Sequence, residues 1–441
     1  MKKVFQILLL TGIFVCFMGC RFEEENIFDD SSANRVEKAK KEYTELLCSA
    51  PNGWVMEYFP TDDQTGYTFL MKFMETGEVK ILCKNTLTND KLTRDSCLFE
   101  FTAISGPVLT FNSYSENSTF HILSDPADIA ATNDVNEQGI GYGGDYEFAV
   151  IKTEENSMLL KGLKRKVYIP LTKLPEDQNW EDYFNLLDEM NVTLFNVNAQ
   201  QLQLTVNDSL FTLSGGSSHI FKIVPDGGDA VIDRVDMPFI VTDYGIRFVK
   251  AFEANGLSVQ TFRLSDDKNS LICTDENVNA KIEGPLLADF FLDVLNLGKN
   301  MAIMSGTDDM SASMRATYNT VQASVESKGR TLNMLSFTYD KTWKQSLRLR
   351  TSKGAGNADG FFGFTMEKKS ANEINLSFKG FEGEFDSNAK RYYDEYNGVP
   401  SLINILNGNF TISPVGNSLI PTMVKFTSIS DPSIWFNLIV R

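Results

Sequence analysis

Histidine is nearly absent from this chain of 441 residues; His121 and His219 are the only two. Metallopeptidase chemistry of the HExxH type needs clustered imidazoles, so it is excluded. Each histidine sits in an apolar, strand-like triplet, Phe120-His121-Ile122 and His219-Ile220-Phe221. Such residues read as surface or packed side chains, not catalytic groups. Cysteine is sparse too. Beyond Cys16 and Cys20, only Cys48, Cys83, Cys97 and Cys273 occur, scattered and without CxxC spacing. That pattern excludes a zinc ligand set and a dense disulfide framework. Cys83 and Cys97 flank an expected hairpin, where pairing under oxidation and buried free thiols both stay open. Positive charge is short as well: 41 basic residues face 58 acidic ones, a net charge of -17. Nucleic acid phosphates and anionic lipid surfaces would repel such a chain, so no nucleic acid partner is expected. No GxSxG nucleophile elbow is present. Gly139, Gly141 and Gly144 match GxGxxG, but the strand-like Tyr146–Ile151 follows where a dinucleotide site requires a helix. No cofactor is implied.

What the chain does have begins at its N-terminus. Lys2 and Lys3 precede an apolar stretch, Val4 to Met18, which Gly19-Cys20 closes. The stretch is shorter than the roughly 20 apolar residues of a spanning helix and reads as a cleaved export signal. Phe17-Met18-Gly19-Cys20 resembles a bacterial lipobox, departing from it at Phe17 and Met18. That resemblance implies cleavage before Cys20 and acylation of its thiol. With each buried CH₂ contributing about 0.8 kcal/mol, several acyl chains anchor the protein stably. Glu23-Glu24-Glu25 and Asp29-Asp30 follow. This acidic run resembles the surface-export signal of outer-membrane lipoproteins in glycan-degrading gut bacteria, and it also suits an extended tether. A lipid anchor in the outer membrane, facing the cell exterior, is the expectation; a periplasm-facing anchor is the alternative.

Past the tether, the hydrophobic period decides the fold class. Ser31-Ser32 cap an expected helix over Ala33–Cys48, with Val36, Ala39, Tyr43, Leu46 and Leu47 on one face. The period then changes to two. Strands are expected at Trp54–Phe59, Tyr67–Phe73 and Val79–Leu82, then in series through Thr119–Leu123, Tyr146–Ile151 and Val167–Leu171. A second helix is expected over Trp180–Met190, then strands from Val192–Phe195 to Gln260–Leu264. A third helix is expected over Leu286–Met304, and strands resume to Trp435–Val440. The chain should therefore be mainly β with a few helices (α+β), folded as antiparallel barrel-like or sandwich lobes. Its expected divisions are a signal peptide (1–19), an acidic tether (20–31), an N-terminal β-rich region (32–283) and a C-terminal helix plus β-rich region (284–441). Faint repeats add to this picture. FTAISGPVLTF from Phe101 is similar to FIVTDYGIRF from Phe239, TFHILSDP from Thr119 to TFRLSDD from Thr261, and Tyr67–Leu82 to Leu332–Leu349.

The stretch FDDSSANRVEKAKKEYTELLCSAPNGWVMEYFP is more specific than any single motif. With TFHILSDP, GGDYEFAVIKTEENSMLLKG and PFIVTDYGIRF, it resembles a Bacteroidetes-type lipoprotein family built on a domain of unknown function. That family is often found beside starch-utilisation-type nutrient importers and a zinc-metallohydrolase-type lipoprotein. The resemblance implies an accessory role in uptake at the cell surface, and it brings no catalytic residue with it.

Few residues remain as candidates for a site. Four tryptophans occur. Trp54 and Trp435 lie in apolar strand patterns and read as core. Trp343, in YDKTWKQS, and Trp180, at the start of a helix, are the candidate ligand-binding residues, since an indole face suits the apolar face of a pyranose. Asp134, Asn136, Gln138 and Asp145 loosely match a calcium loop, with Gln138 where Asp or Asn is usual. A solvated turn is the preferred reading, and no metal is expected. The expected function is a non-catalytic, ligand-binding or accessory component of nutrient uptake. Its expected partners are the lipid anchor, a glycan or other nutrient, and an importer complex. The alternatives are a hydrolase acting on the same nutrient, with two carboxylates across a cleft, or a structural envelope protein. Replacing Cys20 tests the anchor. Cys20→Ala is expected to abolish metabolic labelling with palmitate and to move the protein from the membrane pellet to the soluble fraction; retained label would contradict the lipobox reading.

Overall fold

The computed structural model describes residues 31–104, 106–113, 119–124, 142–195, 201–342, 344–380 and 386–441. The signal, Cys20, the tether, Trp343 and three residues of the calcium-like loop (Asp134, Asn136, Gln138) lie outside the described residues.

The described strands close into three consecutive barrels of eight antiparallel strands each. Barrel 1 runs β1 (Trp54–Tyr58), β2 (Tyr67–Phe73), β3 (Glu78–Cys83), β4 (Thr93–Ala103), β5 (Pro107–Phe111), β6 (Glu147–Thr153), β7 (Ser157–Gly162) and β8 (Tyr168–Lys173). Barrel 2 runs β9 (Leu202–Val206), β10 (Ser209–Ser214), β11 (Ile220–Pro225), β12 (Val235–Val241), β13 (Gly245–Ala254), β14 (Leu257–Leu264), β15 (Ser270–Cys273) and β16 (Ala280–Glu283). Barrel 3 runs β17 (Met301–Ile303), β18 (Thr331–Asp340), β19 (Lys344–Lys353), β20 (Gly356–Ser370), β21 (Glu373–Phe378), β22 (Gly408–Pro414), β23 (Met423–Ser428) and β24 (Trp435–Val440). In every barrel each strand pairs with the next and the last returns to the first. Closure removes the unpaired edges that an open sheet exposes. Register shifts in β6 (Val150/Lys152), β13 (Arg247/Phe252) and β18 (Leu332/Met334) supply the local bends.

An eight-stranded barrel encloses a lumen that side chains can fill. Here aromatics fill it. In barrel 1, Tyr58, Phe69, Phe111, Phe120 and Phe148 are all at most 1% exposed. Phe120 stands 5.4 Å from Tyr58, 5.5 Å from Phe69 and 4.6 Å from Phe111 by ring centroid. Six helices complete the described chain: α1 (Ser32–Cys48), α2 (Trp180–Phe195), α3 (Leu287–Asn296), α4 (Ala312–Ser327), α5 (Ser387–Glu395) and α6 (Val399–Ile405). A helix precedes each barrel and packs against its core. Ser31 caps α1, accepting from the Asn34 amide at 3.1 Å. From α1, Tyr43 meets Phe101 and the Leu47 carbonyl accepts the Trp54 indole N–H at 2.8 Å. Phe195, the last residue of α2, packs 5.5 Å from Phe239 of barrel 2. Phe291 of α3 lies 5.7 Å from Phe337 and 5.1 Å from Phe426 of barrel 3. One hydrophobic core runs through all three barrels.

Several sequence expectations change. Thr119–Leu123 is no strand; His121–Leu123 form a 3₁₀ turn that sends Phe120 into the lumen. Val192–Phe195 ends α2, because burying Leu194 and Phe195 outweighs the strand preference of Val192 and Thr193. The expected helix Leu286–Met304 stops at Asn296; Gly298, at φ +75°, turns the chain into β17. Helices α4 and α5 and strands β15 and β16 were not anticipated. Trp54 is fully buried, whereas Trp435 is half-buried under the Lys425 ammonium at 4.1 Å. The repeats have a structural counterpart. The similar segments from Phe101 and Phe239 each lie on the fourth and fifth strands of their barrels, and those from Tyr67 and Leu332 on the second and third. TFHILSDP and TFRLSDD do not correspond, one forming the 3₁₀ turn and the other β14.

Barrels 1 and 2 meet along a polar seam. Glu57, facing outward from β1, lies 3.7 Å from the Arg247 guanidinium and accepts from the Tyr244 hydroxyl at 3.2 Å. Tyr183 of α2 donates to Asp243 at 3.1 Å. Burial pushes the Glu57 carboxyl above its usual range, and Arg247 and Tyr244 oppose that rise. A side chain at Gly66 would stand 2.7 Å from Ile240, so this close approach requires glycine.

Phe221 tests the filled lumen. It is fully buried and stacks on Phe239 at 4.5 Å. Phe221→Ala is expected to destabilise the protein by about 3–5 kcal/mol in urea unfolding, because the cavity cannot collapse within a closed barrel. A loss under about 1 kcal/mol would mean that the lumen is loosely packed.

Candidate functional site

Among the described residues aromatic side chains fill the lumens, and a groove opens outside the first barrel. Alternation along β1 to β3 turns Val55, Leu70 and Leu82 outward, where Leu174, Tyr183 and Phe184 cover them in a second, smaller core. This packing seats α2 on the outer wall of barrel 1. The N-terminus of α2 is tied down by side chains. The Asn179 side-chain oxygen Oδ1 accepts from the amides of Glu181 at 2.8 Å and Asp182 at 3.1 Å. Asn52 donates to the carbonyls of Pro175 at 2.7 Å and Gln178 at 2.6 Å. The Trp180 indole N–H donates to the Asn52 carbonyl at 2.9 Å.

A groove of about 620 Å³ opens between this helix start and the sheet. Trp180, Asn52, Gln178, Asn179 and Glu181 form one wall; Lys72, Glu78, Lys80, Ile81, Arg94, Asp95 and Ser96 belong to the sheet side. Trp180 is half-buried, so one part of the indole is fixed and the rest faces the groove. On the sheet, Lys72 pairs directly across from Lys80, and Lys80 across from Ser96. Arg94 pairs with Glu181, bridging sheet and helix. Asp95 accepts from the Thr119 amide at 3.0 Å and hydroxyl at 2.9 Å. A rigid indole flanked by amides and ammonium groups can hold a flat, hydroxyl-rich ligand by its face and its edge.

Of the sequence candidates, Trp180 lines this groove, and Trp343 lies outside the described residues. Of the calcium-like set only Asp145 is described. Its carboxylate accepts from the amides of Lys164 at 2.7 Å and Arg165 at 2.8 Å, clamping the turn between β7 and β8. Among the described residues no three His, Cys, Asp or Glu side chains gather as a metal site. Cys83 stands opposite Thr93 and Cys97 opposite Val79. The thiols are thus offset by four residues along β4, about 13 Å, beyond disulfide reach. Burial pushes both up to about 12. Lys72, Lys80, Arg94 and Asn52 were not foreseen as site residues. The turn Glu75-Thr76-Gly77 does set the register that places the two lysines opposite each other.

Residues 24–266 match the family described as Domain of unknown function (DUF4302), more than half of the chain. The chain belongs to that family. The DUF4302 match takes in α1, barrel 1, α2 and barrel 2 through β14, so it includes every residue of the groove. No curated protein matches the sequence. Among solved structures, the beta subunit of DNA polymerase from Streptococcus pyogenes is 10% identical, with 91% of this chain and 97% of that one covered and a TM-score of 0.13. The DNA polymerase sliding clamp from Pseudomonas aeruginosa is 9% identical, with 92% and 97% covered and a TM-score of 0.15. At such scores neither likeness carries weight for fold or function.

His219 gives this part of the molecule a pH dependence. It lies in the cleft between barrels 1 and 2, and its Nε2 meets Asn191 Oδ1 at 2.9 Å. Burial lowers its pKa below the ordinary value near 6.5. Below that value the unfolded chain binds more protons at this site than the folded one, so stability falls as pH drops and levels off below the lowered pKa. The melting temperature is expected to fall between pH 7.5 and pH 5.5, and His219→Gln to lessen that fall. An identical fall in the variant would remove His219 from the account.

Proposed function

We propose that this DUF4302 protein is an outer-membrane lipoprotein, anchored through acylated Cys20 and facing the cell exterior, in a Bacteroidetes-type cell. It acts without catalysis, as a ligand-binding or accessory component of a nutrient-uptake system. The lipobox-like Phe17-Met18-Gly19-Cys20 and the acidic run after it support the address. One observation carries the binding role. The Trp180 indole is pinned by Asn52 at the wall of a groove lined by amide, ammonium and hydroxyl groups. An aromatic platform held in advance loses little entropy when a ligand stacks on it. A saccharide, with an apolar ring face and polar edges, fits that chemistry. The accessory role draws on Val231 and Ile232, which are 85% and 82% exposed between β11 and β12. Asp229 accepts from both of their amides, so this apolar tip is held ready for a protein partner.

The mature chain with Cys20→Ser, which stays unacylated, is the material for the test. Its thermal unfolding is followed against panels of oligosaccharides, peptides and divalent cations. A ligand present at about 100 times its dissociation constant adds roughly 2.7 kcal/mol to stability and raises the melting temperature. An oligosaccharide is expected to raise it, and Trp180→Phe, which keeps the buried ring but loses the indole, to weaken that rise. No shift with any saccharide at saturating concentration would contradict the reading.

A further inference from the structure

The groove's floor says more about its occupant. Lys72 of β2 and Lys80 of β3 are direct cross-strand partners on the outer face of barrel 1. Side chains so placed have Cβ atoms about 5 Å apart, and like charges there destabilise a sheet. Neither lysine forms an ion pair among the described residues. Among the described residues Lys222 and Lys353 also lack an ion pair, although the chain carries a surplus of carboxylates, 58 acidic to 41 basic residues. Elsewhere on the surface lysines do find them, as in Lys152–Glu154, Lys250–Asp62 and Lys368–Asp289. In the groove itself Arg94 has taken Glu181. Glu78 and Asp95 also line the groove, and Glu78 forms no ion pair with either lysine among the described residues. Two cross-strand lysines thus line the groove without an ion pair among the described residues, beside a half-buried indole and Ser96.

We infer that the groove takes an anionic oligosaccharide, with a sugar ring on Trp180 and its carboxylate or sulfate between Lys72 and Lys80. This rests on the reading of the groove as a saccharide site. The bound anion supplies the ion-pair partner that neither lysine has among the described residues, which turns a repulsive cross-strand pair into a source of selectivity. Neutral sugars can use the indole and the amides but leave the lysine pair unanswered.

The test uses calorimetric titration of the mature Cys20→Ser chain with four probes. These are oligogalacturonate, the same oligosaccharide with its carboxyl groups reduced, a sulfated chondroitin fragment, and oligoglutamate as a non-saccharide anion. Lys72→Gln and Lys80→Gln are the variants. Lys80 is exposed and Lys72 half-exposed, and neither forms an ion pair among the described residues, so both variants should fold. An acidic oligosaccharide is expected to bind more tightly than the reduced one. Each lysine variant should weaken the acidic ligand about fivefold and the reduced one distinctly less. Lysine-dependent binding of oligogalacturonate alone assigns a carboxylate, and of the chondroitin fragment alone a sulfate. Equal binding of acidic and reduced oligosaccharides, indifferent to both variants, overturns the inference and leaves the saccharide reading standing. Binding of oligoglutamate with no saccharide binding overturns both.

Discussion

Closing eight strands into a ring satisfies every edge but leaves two open ends and a lumen. The rest of this structure follows from that constraint. Phe69, Phe111, Phe120 and Phe148 fill the first lumen, Phe221, Phe239 and Phe248 the second, and Phe337, Phe364 and Phe426 the third. A helix precedes each ring and packs into its core, through Leu47, Phe195 and Phe291 in turn. Among the described residues the barrels are therefore cores, and the groove beside Trp180 lies on an outer wall.

α2 links scaffold and site because it serves two barrels at once. Its end places Phe195 against Phe239 of barrel 2, while Tyr183 and Phe184 cover Val55, Leu70 and Leu82 on barrel 1. Its start is thereby fixed, and Asn52 and Asn179 complete the hold on Trp180. The seam below adds a constraint of another kind. Glu57 and Arg247 are both buried at 3.7 Å, a pair whose desolvation offsets much of its attraction. Such a pair favours one docking geometry over others, since a slip of either barrel would leave a buried charge alone.

The strand pattern was the most legible part of the chain. Period-two alternation located the β1–β2–β3 series, and β24 was read with its observed ends. The number of barrels was not legible, since closure depends on long-range pairings such as Trp54 with Lys173 that no local pattern reports. α4 escaped although Met314, Tyr318, Val321 and Val325 recur at helical spacing, because the serines and threonines between them favour helix weakly; α5 escaped because it buries only Ala389 and Tyr392. Thr119–Leu123 alternates like a strand, yet its apolar residues enter the lumen from a turn. The PFIVTDYGIRF segment was visible as a distinctive motif, but its place in the inter-barrel seam was not. Trp180 stood out because a tryptophan opening an acidic helix is unusual. Lys72 and Lys80 did not, because charges on a strand's solvent face carry no signal until register brings them together.

Amide hydrogen exchange of the mature Cys20→Ser chain, with and without a stabilising oligosaccharide, tests the central claim most directly, namely that a filled-barrel scaffold binds on its outer wall at the α2 start. The account predicts slowed exchange in Tyr67–Cys83 and in residues 178–182, with the core strands of barrel 3 unchanged. Slowed exchange confined to barrel 3, with none at those two segments, would contradict it.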